Sequence, residues 1–192
     1  MPTETEYNSA LHHRRSIRLP EYDYSQVGMY FVTICCQDMV CRFGSVVGGK
    51  IVLNECGRIA KECWEMTPLI RENIDLGAFV IMPNHMHGII HINGRGVLHT
   101  PNLENDSEHL DVKDNEGVFN TPLQSPKQKL GSIVRGYKSA VTKKSLQIGV
   151  SGKLWQRNYY EHVIRNEYSY QRISEYIFNN PAQWEYDTLY RL

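Results

Sequence analysis

Residues 74 to 92 read Ile74-Asp75-Leu76-Gly77-Ala78-Phe79-Val80-Ile81-Met82-Pro83-Asn84-His85-Met86-His87-Gly88-Ile89-Ile90-His91-Ile92. Two runs rich in β-branched residues, about Ile74–Met82 and His85–Ile92, meet at Pro83-Asn84, and this pattern predicts two neighbouring strands. His85 and His87 stand two apart, so both rings leave the same face of the second strand. Two imidazoles so placed can ligate one divalent ion and leave positions open for oxygen ligands and substrate. His91 shares their parity but sits four residues on, about 13 Å away by strand rise, too far for the same ion. Taken alone the pair is weak evidence, because hydrogen-bonded structural histidines produce the same pattern.

Upstream, Met29-Tyr30-Phe31-Val32-Thr33-Ile34-Cys35 is aromatic and β-branched and reads as a first strand. Phe43–Val47 and Lys50–Leu53 flank Gly48-Gly49 and form a hairpin. Asn54 is placed to cap a helix with apolar positions at Cys56, Ile59, Ala60, Cys63 and Trp64, ended or kinked at Pro68. Downstream of the histidines, about residues 93–126 are rich in Asn, Asp, Glu, Pro and Thr and show no periodicity, which reads as a flexible acidic insertion. Six acids between Glu104 and Glu116 face only Lys113 there. Pro126 opens a second helix with Leu130, Ile133, Val134, Tyr137 and Val141 on one face. Residues 154–164 look extended, and a third helix runs from about Glu167 to Asn180, stopped by Pro181.

This order predicts an α+β fold, a ferredoxin-like antiparallel sheet with helices packed on one face and the two histidines on a central strand. Residues 26–192 form one domain, and residues 1–25, with His12, His13, Arg14, Arg15 and Arg18, form a basic arm. At 192 residues the chain has room for one such core. With 41% hydrophobic and 22% charged residues it is neither disordered nor fibrous. The longest purely apolar stretch, Ala78–Met82, is too short to span a bilayer, so no membrane partner is expected. Five cysteines, an odd number with no CxxC pair and no secretory leader, point to reduced thiols in the cytoplasm.

The formal net charge is zero, but its distribution is uneven. Nine basic side chains between Lys127 and Arg165 face the single acid Glu161, a local net of +8. Arg135, Lys138, Lys143, Lys144 and Arg157, interleaved with Trp155 and Tyr159, would attract a polyphosphate chain and offer rings to its bases. A solvated helix face over core aromatics explains the same pattern. On the third helix Arg172, Tyr176 and Asn180 recur every four residues and share a face. A phenol between a guanidinium and a carboxamide could be a nucleophile near a phosphate, with Arg172 clamping the anion and Asn180 offering a metal an oxygen.

The Met82–Ile90 block resembles the histidine–hydrophobe–histidine (HUH) motif of single-tyrosine transposases. Together with Leu154-Trp155-Gln156-Arg157-Asn158-Tyr159-Tyr160-Glu161-His162-Val163-Ile164-Arg165-Asn166-Glu167, Tyr176 and Asn179-Asn180-Pro181, it resembles the REP-associated tyrosine transposase branch. The resemblance covers about residues 25–190, interrupted by the insertion. It implies an enzyme that cleaves and rejoins single-stranded DNA near hairpin-forming palindromes through a 5′-phosphotyrosine intermediate. His85, His87 and Asn180 would hold Mg²⁺ or Mn²⁺, and Tyr176 would be the nucleophile. The partner would be single-stranded or hairpin DNA, and both homodimers and monomers occur among such enzymes. Two other readings compete: a non-catalytic nucleic-acid-binding domain on this fold, and a metal-dependent hydrolase that uses the histidine pair without a covalent step.

Overall fold

Strand β1 (Gly28–Cys35) alternates its side chains between two apolar layers, and that alternation organises everything around it. The computed structural model describes residues 27–93 and 129–191. The expected basic arm over 1–25 and, apart from Asn93, the acidic insertion over 93–126 lie outside them.

β1 is followed by a hairpin, β2 (Gly44–Val47) and β3 (Lys50–Leu53). Its turn uses Gly48 and Gly49 at φ 57° and 72°, the left-handed conformations that a two-residue hairpin turn demands. Asn54 caps helix α1 (Glu55–Glu65), its side chain accepting from the Gly57 amide at 2.9 Å. Pro68 then sits in the first turn of a short second helix, α2 (Thr67–Ile70), so the chain kinks there. Strands β4 (Ile74–Ile81) and β5 (His85–Ile92) follow, then α3 (Leu130–Gln147), β6 (Tyr160–Ile164) and α4 (Glu167–Asn179).

β4, β5, β1 and β6 make one antiparallel sheet in that spatial order, so the two histidines lie on an inner strand. On one face Tyr30, Val32 and Ile34 of β1 and Met86, Ile90 and Ile92 of β5 form the main core with α1 and α3. The opposite face carries Phe31, Ile89 and Ile164, packed against Ile177 of α4. The expectation of an antiparallel sheet with helices on one face therefore holds for α1 and α3 and needs extending for α4, which covers the other side. The register shift between Leu76 and Phe79 keeps Leu76 and Phe79 on the α1–α3 side and puts Ala78 and Val80 on the α4 side.

Gly88 is dictated by packing. A Cβ there would stand 2.5 Å from Cζ2 of the fully buried Trp64. Because Trp64 is locked between Phe79 and Tyr137, it has no room to retreat. Gly88→Ala is expected to destabilise the fold by about 1–3 kcal/mol, as overpacking does in other cores. A urea unfolding curve that matches the wild type would contradict this packing.

Two details depart from the sequence pattern. The extended stretch 154–164 is a strand only from Tyr160, with a single bridge between Cys36 and Trp155 before it. At the other end α4 stops at Asn179 as expected, but Pro181 does not end the chain's helical turns. It occupies the first turn of a 3-10 segment, Asn180–Tyr186, where a missing amide costs nothing.

Candidate active site

His85 and His87 enter the site because Met86 and Gly88 take the core side of β5, which sends both imidazoles towards α4. Across the sheet His87 pairs with Thr33 of β1, whose side chain therefore rises on the same face. Thr33 Oγ1 lies 2.8 Å from His87 Nδ1. Asn84 Oδ1 lies 2.8 Å from His85 Nδ1. With their Nδ1 atoms tied back, the two Nε2 atoms converge to 3.0 Å. Trp184 backs His85, ring centres 5.9 Å apart, and Phe31 stacks on His87 at 5.3 Å.

Three groups complete the cluster. The Tyr176 hydroxyl, from α4, lies 3.1 Å from His87 Nε2. The carboxylate of Asp187, just beyond the 3-10 segment, has an oxygen within 4.8 Å of the ligating nitrogens of both histidines. It is oriented by Asn180 Nδ2, which donates to Oδ2 at 2.8 Å, and by the Leu189 amide, which donates to Oδ1 at 2.7 Å. Asn180 Oδ1 is buried and has no hydrogen-bond partner, an oxygen free to accept a cation or a proton.

Electrostatics separates these groups. Burial pushes His85 and His87 from an ordinary value near 6.5 down to about 3, so both are neutral lone-pair donors at physiological pH. Burial and the negative charge of Asp187 push Tyr176 up to about 12, against a smaller opposing effect of the Asn180 amide. The phenol is therefore fully protonated in the ion-free protein. For the histidines the consequence has a definite sign. Unfolded, they take up protons near pH 6.5, whereas folded they do so only near pH 3. Stability of the chelator-treated protein is expected to fall as pH drops from 6.5 towards 3. Urea midpoints that stay constant between pH 7 and pH 5 would contradict this.

The donor set suits a divalent ion. An octahedral ion with bonds of about 2.1 Å separates neighbouring ligands by about 3.0 Å, the spacing of the two Nε2 atoms. Two neutral imidazoles, one carboxylate and one orphaned amide oxygen form a mixed nitrogen and oxygen donor set that could hold a divalent metal ion.

The fold brings His85, His87 and Tyr176 together, with Asn180 one turn beyond Tyr176. Asp187, Asn84 and Thr33 are additions that the sequence reading lacked. Only Asn84 carried a signal, its place in the Pro-Asn-His turn; Asp187 is a single acid in an unpatterned tail. The expected DNA-contacting residues divide. Arg135, Lys143 and Lys144 are exposed on α3, across the sheet from the histidines, with Lys144 3.9 Å from Glu62. Lys138 donates to the carbonyls of Gln156 and Asn158 at 2.8 and 2.9 Å, and burial lowers it to about 8. Arg157 is exposed on the stretch hydrogen-bonded to the Cys35 end of β1, beside His85. Arg172 is exposed, its guanidinium 5.8 Å from the Tyr168 ring.

Trp155 requires a correction. It is buried between Phe43 and Tyr137, and its Nε1 donates to the Lys138 carbonyl at 3.1 Å, so no ring face is free for a base. Tyr159 is half-buried against the same core. Aromatics among lysines look alike whether they line a groove or anchor a helix, and here they anchor α3. All five cysteines are free thiols, and among the described residues no helix is long and apolar enough to cross a membrane.

The fold that sets an inner-strand histidine pair against a helical tyrosine is also found among solved structures. The fold is that of a REP-associated tyrosine transposase whose structure was solved bound to a REP hairpin. The TM-score is 0.53 at 20% identity, covering 86% of this chain and 74% of that one. No protein-family model matches the chain. A Haemophilus influenzae protein, described as uncharacterized, is 42% identical over 195 positions, 97% of this chain and 98% of that protein. The chain belongs to one family with it.

Proposed function

We propose that this protein is a metal-dependent single-stranded DNA transposase that cleaves and rejoins DNA near hairpin-forming palindromes, with Tyr176 as nucleophile. The observation that carries the reading is the convergence of the Tyr176 hydroxyl, both histidine Nε2 atoms and the Asp187 carboxylate at one point on the sheet. His85, His87 and Asp187, with Asn180 Oδ1 beside them, would hold Mg²⁺ or Mn²⁺. When bound, the ion supplies positive charge that offsets Asp187, favours ionisation of the phenol and neutralises charge developing on a scissile phosphate.

The chain's own residues do the rest. The Tyr176 oxygen bonds to phosphorus while the bond from phosphorus to the 3′-oxygen breaks. The phenol gives up its proton and the leaving 3′-oxygen takes one up, so the step is balanced. Because one phosphodiester replaces another, the linkage remains available for rejoining to a second strand. Tyr176 is 45% exposed, enough for a strand to reach it. Phe31, 6.3 Å away edge-on, and His87, 5.2 Å away, hold its ring. Arg157 and Arg172 are exposed and could meet phosphates, while the α3 cations would meet DNA only on the far side of the sheet. The reading places the enzyme in the cytoplasm.

The test is formation of a denaturant-resistant protein–DNA adduct. Purified protein would be mixed with end-labelled single strands carrying the palindromes that flank its own gene, with Mn²⁺ or with EDTA. A metal-dependent adduct is expected. A metal-independent mobility shift without adduct would overturn the catalytic reading and leave a DNA-binding module.

A further inference from the structure

Asn84 is fully buried, and every polar atom of its side chain is engaged. Its Nδ2 donates to the carbonyl of Leu189 at 2.9 Å and to that of Met39 at 3.2 Å. Carbonyls cannot donate, so the amide nitrogen must face them and Oδ1 must face His85. Turned over, the amide would press its oxygen on two carbonyl oxygens and its NH₂ on the ring. Oδ1 therefore accepts from His85 Nδ1–H, the bond at 2.8 Å. A neutral imidazole protonated on Nδ1 carries its lone pair on Nε2, the atom aimed into the site.

The second half of the amide reaches the opposite wall. Leu189, whose carbonyl Asn84 holds, uses its own amide to hold Asp187 Oδ1. One side chain thus fixes the tautomer of one candidate ligand and anchors the segment that carries another. His87 is arranged differently. Its Nδ1 faces the Thr33 hydroxyl, which can donate or accept. With His85 Nε2 bare, the 3.0 Å contact requires His87 Nε2 to be the donor in the ion-free protein. The Thr33 hydroxyl then donates to His87 Nδ1.

We propose that Asn84 is the positioning residue of this site, setting His85 in its Nδ1–H form and holding the 187–189 segment so that Asp187 faces the histidines. The inference deepens the metal-dependent reading and rests on it for its consequence, but the tautomer is testable without any ion. One histidine is ready for a cation at all times, and only His87 must move its proton to the other nitrogen, a change Thr33 accommodates.

The experiment uses the full chain labelled with ¹⁵N-histidine and stripped of metal, with ring tautomers read from two-bond ¹H–¹⁵N correlations. Wild-type His85 is expected as Nδ1–H and His87 as Nε2–H. Asn84→Asp keeps the acceptor for His85 but sets a carboxylate against two carbonyls. His85 should stay Nδ1–H while Mn²⁺ affinity, measured by calorimetry, falls about 10–100-fold, the usual effect of losing an outer-shell partner. Asn84→Ala should lose both, giving mixed His85 tautomers and affinity at least as low. Wild-type His85 found as Nε2–H overturns the proposal even if neither variant folds. So does a folded Asn84→Ala that keeps a pure Nδ1–H ring and wild-type affinity. An Nδ1–H His85 in a wild type that takes up no Mn²⁺ supports the Asn84 assignment and overturns the metal-dependent reading instead.

Discussion

Tyr176→Phe is expected to remove the denaturant-resistant adduct and to leave DNA binding and Mn²⁺ binding at wild-type levels. The substitution deletes one oxygen and keeps the ring between Phe31 and His87. That oxygen lies 3.1 Å from His87 Nε2, an atom that an ion would occupy in the loaded protein. Nothing in the core depends on it, since Tyr176 is 45% exposed and it is Ile177 next to it that packs under the helix. Cleavage should fall by a factor on the order of 10⁴ or more, the scale on which loss of a covalent nucleophile is felt. Three other tyrosines lie on the same side of the sheet or on the same helix. Tyr160 sits on β6 with its ring 6.3 Å from Phe31, Tyr170 faces His91 at 5.7 Å, and Tyr168 lies by Arg172. None of the three hydrogen-bonds to His85 or His87. An adduct of undiminished yield in Tyr176→Phe, mapped by peptide mass to one of these, would remove Tyr176 from the role.

The contrast among these tyrosines also shows which parts of the site the sequence made legible. His85 and His87 could be placed on one face of a strand because period-two alternation is a property of the backbone, independent of what packs on it. Tyr176 stands out from eleven other tyrosines through its helical spacing to Arg172 and Asn180 and its place in the family resemblance, and helical spacing is equally local. Asp187 was invisible because its position depends on a non-local event. The chain continues past Pro181 in a 3-10 segment, Trp184 buries itself against His85, and the turn after it delivers a carboxylate next to two rings about a hundred residues away in sequence. Trp155 departs from expectation for the complementary reason, since composition around a residue does not say which side of a helix it will meet. The face occupied by α4 had no local signal either, because Ile173 and Ile177 make the same stripe whichever side of the sheet they cover.

His87→Ala is the variant expected to cost the most after Tyr176→Phe, and its main effect on the reaction should come through the ion. His87 is the contact point of the whole cluster, with Thr33 behind it, His85 beside it and the Tyr176 hydroxyl in front. Deleting the ring removes a lone pair the ion needs and leaves the Thr33 hydroxyl facing a cavity, so Mn²⁺ affinity and adduct yield should both fall by about 10³ or more. Asp187→Asn provides the comparison. It retains an oxygen for the Leu189 amide, but its NH₂ meets the Asn180 amide that used to donate to it. The expected loss in Mn²⁺ affinity is smaller, about 10–100-fold, and raising Mn²⁺ should recover cleavage. Saturating Mn²⁺ should not recover His87→Ala, because the geometry that brings Tyr176 to the ion goes with the ring. The order of the two variants is the discriminating result. If Asp187→Asn proves the more damaging and His87→Ala still cleaves with Mn²⁺, the carboxylate is the principal ligand and the histidine pair serves the sheet. If His87→Ala alone resists rescue, the pair on β5 is the ion's anchor and Asp187 only trims its charge.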